Sequence, residues 1–192
     1  QIKGLTATQI TGINTTTFNA ISSTQISGLT TTQVKAVSST NLAAMNSGQL
    51  SGLAVTQIAA MSTTQLNNLT NAGADLGALD SVQFKGLTTT QIGGLNTTVF
   101  AVITSTQLNG LTVTQIKAIS TVDLGTLTTS QLSGITSTQL GGMTTTQVKN
   151  LSAVAVPDLS TSQFSGLTSA QIGVLTTTQI NNIDPHPTDI NQ

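Results

Sequence analysis

Residues 87–120 read LTTTQIGGLNTTVFAVITSTQLNGLTVTQIKAIS, one short phrase stated four times. The phrase is eight residues long. Regular cells of that length begin at Leu5, Ile13, Ile21, Leu29, Val37, Met45, Leu53 and Met61, and again every eight residues from Leu79 to Leu175. One ten-residue variant, LTNAGADLGA, lies between the two runs at 69–78, and a second, IDPHPTDINQ, closes the chain at 183–192. The whole sequence, 1–192, is thus expected to be a single repeat array, with regular octads over 5–68 and 79–182. It is expected to be incomplete at both ends, since QIKG at 1–4 is half a cell. Repetition at a fixed period fixes the fold class before any other reading.

Across the 21 regular cells the first and sixth positions are always apolar, which marks them as core. The second is Ser, Thr, Asn or Asp in 20 cells, Ala54 being the exception, and the fifth is Gln in 16. A side-chain oxygen in the second position accepts a hydrogen bond from a free amide of a starting helix. Gln three residues later reaches back to the amide of that first residue, completing a capping box, and the first and sixth positions become the two halves of a hydrophobic staple. The pattern predicts that every cell starts a helix.

One continuous helix is excluded. At about 100° per residue, eight residues rotate an apolar stripe by roughly 80°, so no persistent face forms. Gly and Asn recur at the seventh and eighth positions, as at Gly93–Gly94 and Asn67–Asn68, where they predict a stop. Helices this short do not survive alone and need stacked neighbours. The expected fold is therefore all-α, a solenoid of very short capped helices.

The coil size is read from parity. With the cell at Leu5 counted as the first, Phe18, Phe84, Phe100 and Phe164 all fall in even cells, Met45, Met61 and Met143 start even cells, and Ile or Val starts six odd cells but one even cell. The expectation is that octads pair into 16-residue coils. Lys35, Lys85, Lys117 and Lys149 follow the same parity and suggest a column that either binds or simply solvates an edge. The alternative is a β-solenoid, since Thr, Ile and Val favour strands. Against it, positions one and six have opposite parity, and strands offer no reason for the cap residues.

Chemistry is sparse. Only 6% of residues are charged, five Lys against six Asp, with no Arg, Glu, Trp, Tyr or Cys. Such a chain builds no basic surface for nucleic acid, no aromatic platform and no thiolate site. No apolar run approaches a membrane span, so no membrane insertion is expected, and QIKG carries no initiator Met or signal pattern. His186 sits between two prolines with no partner nearby, and Asp184–Pro185 suits a helix start. Asp75 and Asp189 occupy the same place in the two long cells, followed by Leu76 and Ile190, but neither cell has the clustered ligands of a calcium loop. Ser and Thr lack a base and an orienting acid, and Gly93–Gly94 lacks the rest of a phosphate loop. No catalytic, cofactor-binding or metal-binding residue is assigned, no cofactor is expected, and the chain is read as not an enzyme.

The phrases LTTTQI and ITSTQL resemble the Thr- and Gln-rich short repeats of very large secreted surface proteins of bacteria, often grouped with adhesins. The resemblance runs along essentially the whole chain. It implies an extracellular or cell-surface setting and a stalk, filament or matrix role. Partners are then expected to be other copies of the chain, joined head to tail or laterally, or the remainder of a longer array. The rival reading is a module whose Thr rows bind a repetitive surface such as ice or a polysaccharide, although Ala7, Val55, Val113 and Ala153 interrupt the third column.

Overall fold

The computed structural model describes residues 2–69 and 75–181. Among these residues there are twenty α-helices of four to six residues, three 3-10 segments and no strand. The β-solenoid alternative is set aside, and the all-α solenoid of short capped helices stands.

Each helix begins where the second position of its cell predicts. In the cell at Leu111, Thr112 has extended backbone angles (φ −74°, ψ 158°), and its hydroxyl accepts the Gln115 amide at 3.2 Å. The Gln115 side-chain oxygen accepts the Thr112 amide at 2.9 Å, which closes the box. The helix Val113–Ala118 then ends because Ile119, first residue of the next cell, turns extended (φ −63°, ψ 133°). Ala54 has no acceptor, yet the helix Val55–Ala60 starts there, since Gln57 still takes the Ala54 amide at 2.7 Å and gives its own to the Ala54 carbonyl.

One cell departs from the expectation that all begin helices. In LSAVAVPD, 151–158, Ala155 replaces Gln and Pro157 removes a backbone donor, so only a 3-10 turn, Val156–Asp158, forms. Ser152 is buried, and its amide donates to the Leu124 carbonyl at 3.1 Å.

The chain forms two compact units, Gln1–Val102 and Ile103–Gln192. In the first unit, Ala7–Thr11 packs on Thr31–Ala36, which packs on Val55–Ala60, which packs on Ser81–Lys85. Thr15–Asn19, Ser39–Ala43, Thr63–Asn67 and Thr89–Gly93 stack likewise, as do Ser23–Ser27, Ser47–Ser51 and the 3-10 segment Leu76–Ala78. In the second unit Val113–Ala118 meets Ser137–Gly142 and then Thr161–Ser165, and Thr121–Gly125 meets Thr145–Lys149 and then Ser169–Ile172. Every stack joins a cell to the third cell after it. The coil therefore holds three octads, 24 residues, and the expected pairing into 16-residue coils is corrected. A two-sided coil would press the sixth positions into a seam and leave the first positions, at the corners, on an edge. Three sides let both columns converge: Leu50, Ile58 and Leu66 are 0% exposed at the sixth position, and Leu53 and Met61 5% and 4% at the first.

Parity misleads because the three sides are equivalent. Phe18, Phe84 and Phe100 are each buried to 1% exposure although Phe18 and Phe84 lie on different stacks. The long cell at 69–78 occupies one place in this order. Beyond it, inter-coil bonds span 30 and 33 residues where elsewhere they span 28 and 31, so the two extra residues leave the stacking order unchanged.

Candidate functional site

The polar group that the fold repeats most is the fifth-position Gln. Gln139 is 3% exposed. Its oxygen accepts the Thr136 amide at 2.7 Å, and its Nε2 donates to the carbonyls of Leu108, Asn109 and Leu111 at 3.0, 3.2 and 2.6 Å. Those carbonyls belong to the closing turn of a helix in the preceding coil, where the last C=O groups have no intrahelical partner. One side chain thus caps the start of its own helix and the end of another. Gln57 does the same for Ile26 and Leu29 at 2.9 and 2.7 Å, and Gln171 for Leu140 and Met143, both at 2.9 Å. Among the described residues no buried side-chain nitrogen or oxygen lacks a hydrogen bond.

Sequence reasoning found the first of these bonds and missed the second. The signal was the absence of Glu, which serves a capping box as well as Gln but cannot donate to a carbonyl when ionised. Two substitutes in this column differ. Asn41 still donates to the Ile13 carbonyl at 2.8 Å, and Asp123, buried to 2% exposure, accepts the Ser120 hydroxyl at 2.7 Å.

Helices stop at glycine as expected, and some of these glycines have a second role. The helix-closing glycines Gly12, Gly28, Gly52, Gly86 and Gly166 keep right-handed angles, with φ between −82° and −70°. What Gly52, Gly86 and Gly166 supply besides is clearance. A Cβ on Gly52, Gly134 or Gly166 would lie 2.5, 2.1 or 2.4 Å from the carbonyl oxygen of Ser23, Ser105 or Ser137, the first helical residue of the cell three before. The eighth position is where one coil's backbone rests on the next.

The outer surface carries the second, third and fourth positions. Thr88, Thr89 and Thr90 are exposed, as are Thr144, Thr145 and Thr146. Second-position hydroxyls are engaged as caps, and two third-position hydroxyls donate, that of Thr15 to Asn41 Oδ1 at 3.2 Å and that of Thr129 to Asp158 Oδ2 at 2.9 Å. An open, hydroxyl-lined depression of about 240 Å³ lies among Ser23, Thr24, Ser27, Ser51 and Gly52, beside the close approach at Gly52. An apolar void of about 10 Å³ among Phe18, Val34, Leu42, Met45 and Leu53 is at the lower limit for one water.

Among the described residues, those singled out in the sequence do not assemble. Asp75 is a cap, taking the Gly77 amide at 3.0 Å. Asp184, Pro185, His186, Asp189 and Ile190 lie outside the described residues. Lys35, Lys85, Lys117 and Lys149 are exposed but form no single column: Lys35 and Lys85, six cells apart, lie on one stack, whereas Lys117 and Lys149, four cells apart, lie on helices of different stacks. Among the described residues no three His, Cys, Asp or Glu are grouped to hold a metal ion, and no helix is long and apolar enough to cross a membrane.

Residues 116–153 match the ALTTAQ repeat family, which makes this a short-repeat protein. The match spans the four whole cells from Ile119 to Asn150. A comparison with curated proteins found no match.

Proposed function

We propose that this chain is a structural, non-enzymatic repeat segment of a bacterial surface or extracellular protein, serving as a stalk, filament or matrix fibre. The observation that supports it most is the glutamine relay. Within each unit the Gln donors of one coil are spent on the carbonyls of the coil before, an arrangement that can be repeated so that copy number sets length. Sparse charge lets neighbouring fibres approach with little repulsion. Coil faces also suit end-to-end association. Gln9 and Gln25 are exposed in the first coil, and Ile172 and Ile180 are 40% and 47% exposed in the last described one, where interior equivalents are buried. A further coil laid on either face, from a longer chain or a second copy, would bury them in the same way, and a heterologous contact of that kind extends without closing.

Sedimentation at rising concentration, with electron microscopy of the same sample, tests the association: elongated assemblies are expected, and a strictly monomeric folded species rejects it. Labelling of intact source cells with an antibody to the chain tests the location, and signal only after lysis rejects a surface role. The second reading, binding of ice or a polysaccharide, draws on the exposed Ser62, Thr64, Thr88, Thr89 and Thr90 of one stack in the first unit. Recrystallisation inhibition that is lost in Thr89→Lys would put that reading first.

A further inference from the structure

We infer that Asn14 and Asn96 are acceptor sites for N-linked glycan on the folded chain, an inference that rests on the extracellular reading for its biological setting. The sequence holds four Asn-x-Ser/Thr triplets, beginning at Asn14, Asn68, Asn96 and Asn150, and such a triplet is an acceptor only where it is presented at the surface. The fold sorts them into two pairs.

Asn14 and Thr16 are exposed, and so are Asn96, Thr97 and Thr98. Each asparagine is a helix cap, and capping uses only the side-chain oxygen: Oδ1 of Asn14 accepts the Thr17 amide and Oδ1 of Asn96 accepts the Val99 amide, both at 2.9 Å. The nitrogen that would carry the sugar takes no part in the cap, so a glycan on Nδ2 leaves the helix start intact. At the other two triplets the asparagine nitrogen is already engaged. Nδ2 of Asn150 donates to the Thr146 carbonyl at 2.8 Å, while Leu151 and Ser152 are 4% and 9% exposed. Nδ2 of Asn68 donates to the Thr64 carbonyl at 2.7 Å, and Leu69 is 1% exposed. Asn46 provides a natural control, because it caps a helix just as Asn14 does but is followed by Ser47 and Gly48, with no hydroxyl two places on.

The reaction is a glycosyl transfer from a lipid-diphosphate-linked oligosaccharide. Nδ2 bonds to C1 of the terminal sugar, the C1–O bond to the diphosphate breaks, the lipid diphosphate leaves with the electron pair, and the amide gives up one proton. The test incubates the purified, folded full chain with that donor and a single-subunit oligosaccharyltransferase that reads Asn-x-Ser/Thr, followed by peptide mass mapping. The expected result is glycan at Asn14 and Asn96 and none at Asn68 or Asn150. Thr16→Val and Thr98→Val should each remove one site while leaving the circular dichroism spectrum unchanged, and Gly48→Thr should add a third site at Asn46. No glycan at all, or glycan at Asn68 and Asn150 to the same extent as at the other two, overturns the inference. Because the reaction is run on purified protein, an intracellular location would defeat the extracellular reading without altering this result.

Discussion

Changing Gln139 to Glu alters two atoms' worth of chemistry and isolates the relay from the cap. Gln139→Glu keeps the oxygen that accepts the Thr136 amide, but it replaces the donor facing the carbonyls of Leu108, Asn109 and Leu111 with a second acceptor. An ionised carboxylate cannot stay there, aimed at three carbonyl oxygens and 3% exposed, so the introduced group takes up a proton on folding and its folded pKa rises. With an unfolded value of about 4.3 and about 1.4 kcal/mol per pH unit, neutralising it near pH 7 costs at most about 3.7 kcal/mol. The residual loss of bonding geometry adds about 1 kcal/mol. The sign follows from proton counting. Between the two pKa values the folded variant binds one more proton than the unfolded chain, so its stability relative to wild type falls as pH rises and is regained on acidification towards about pH 4.3. Urea unfolding followed by circular dichroism, on variant and wild type in parallel across this range, reads the slope. Native-state hydrogen exchange locates it to Ser105–Gly110 and Ser137–Gly142. A cost near pH 7 no larger than about 1 kcal/mol, or one independent of pH, would show that the relay to the preceding coil is not a stabilising contact.

Thr112→Val removes the hydroxyl that accepts the Gln115 amide and should cost about 1 kcal/mol in the urea midpoint, whereas Thr89→Val, at an exposed first helical position, should be nearly silent; equal effects would remove the cap assignment. Gly134→Ala places a methyl against the Ser105 carbonyl and should destabilise by about 1–3 kcal/mol. Gly125→Ala, whose nearest neighbour lies at 3.4 Å, should be neutral or stabilising by up to about 1 kcal/mol in thermal unfolding. Leu108→Ala, at a fully buried sixth position, should cost about 2–5 kcal/mol, and a smaller loss would argue against a packed axial core.

The sequence by itself determined where helices begin and which residues face inward. Capping acts over three residues and stapling over five, so both are written inside one octad and can be read from a column of Thr and a column of Gln. Even the failures are local: Ala155 and Pro157 explain why 151–158 makes only a 3-10 turn. Tertiary structure decided the coil. Pairing a cell with the second or the third cell before it is a choice among near-identical partners, and a repeat that looks the same everywhere carries no mark of its own register. Parity of Phe and Met supplied a false mark, since all sides of the coil bury the same columns around one interior. The second bond of Gln and the clearance at Gly52, Gly134 and Gly166 were hidden for the same reason. Each acts across 28 to 33 residues, on a backbone carbonyl that every residue type possesses, so no side chain at the receiving end records the contact.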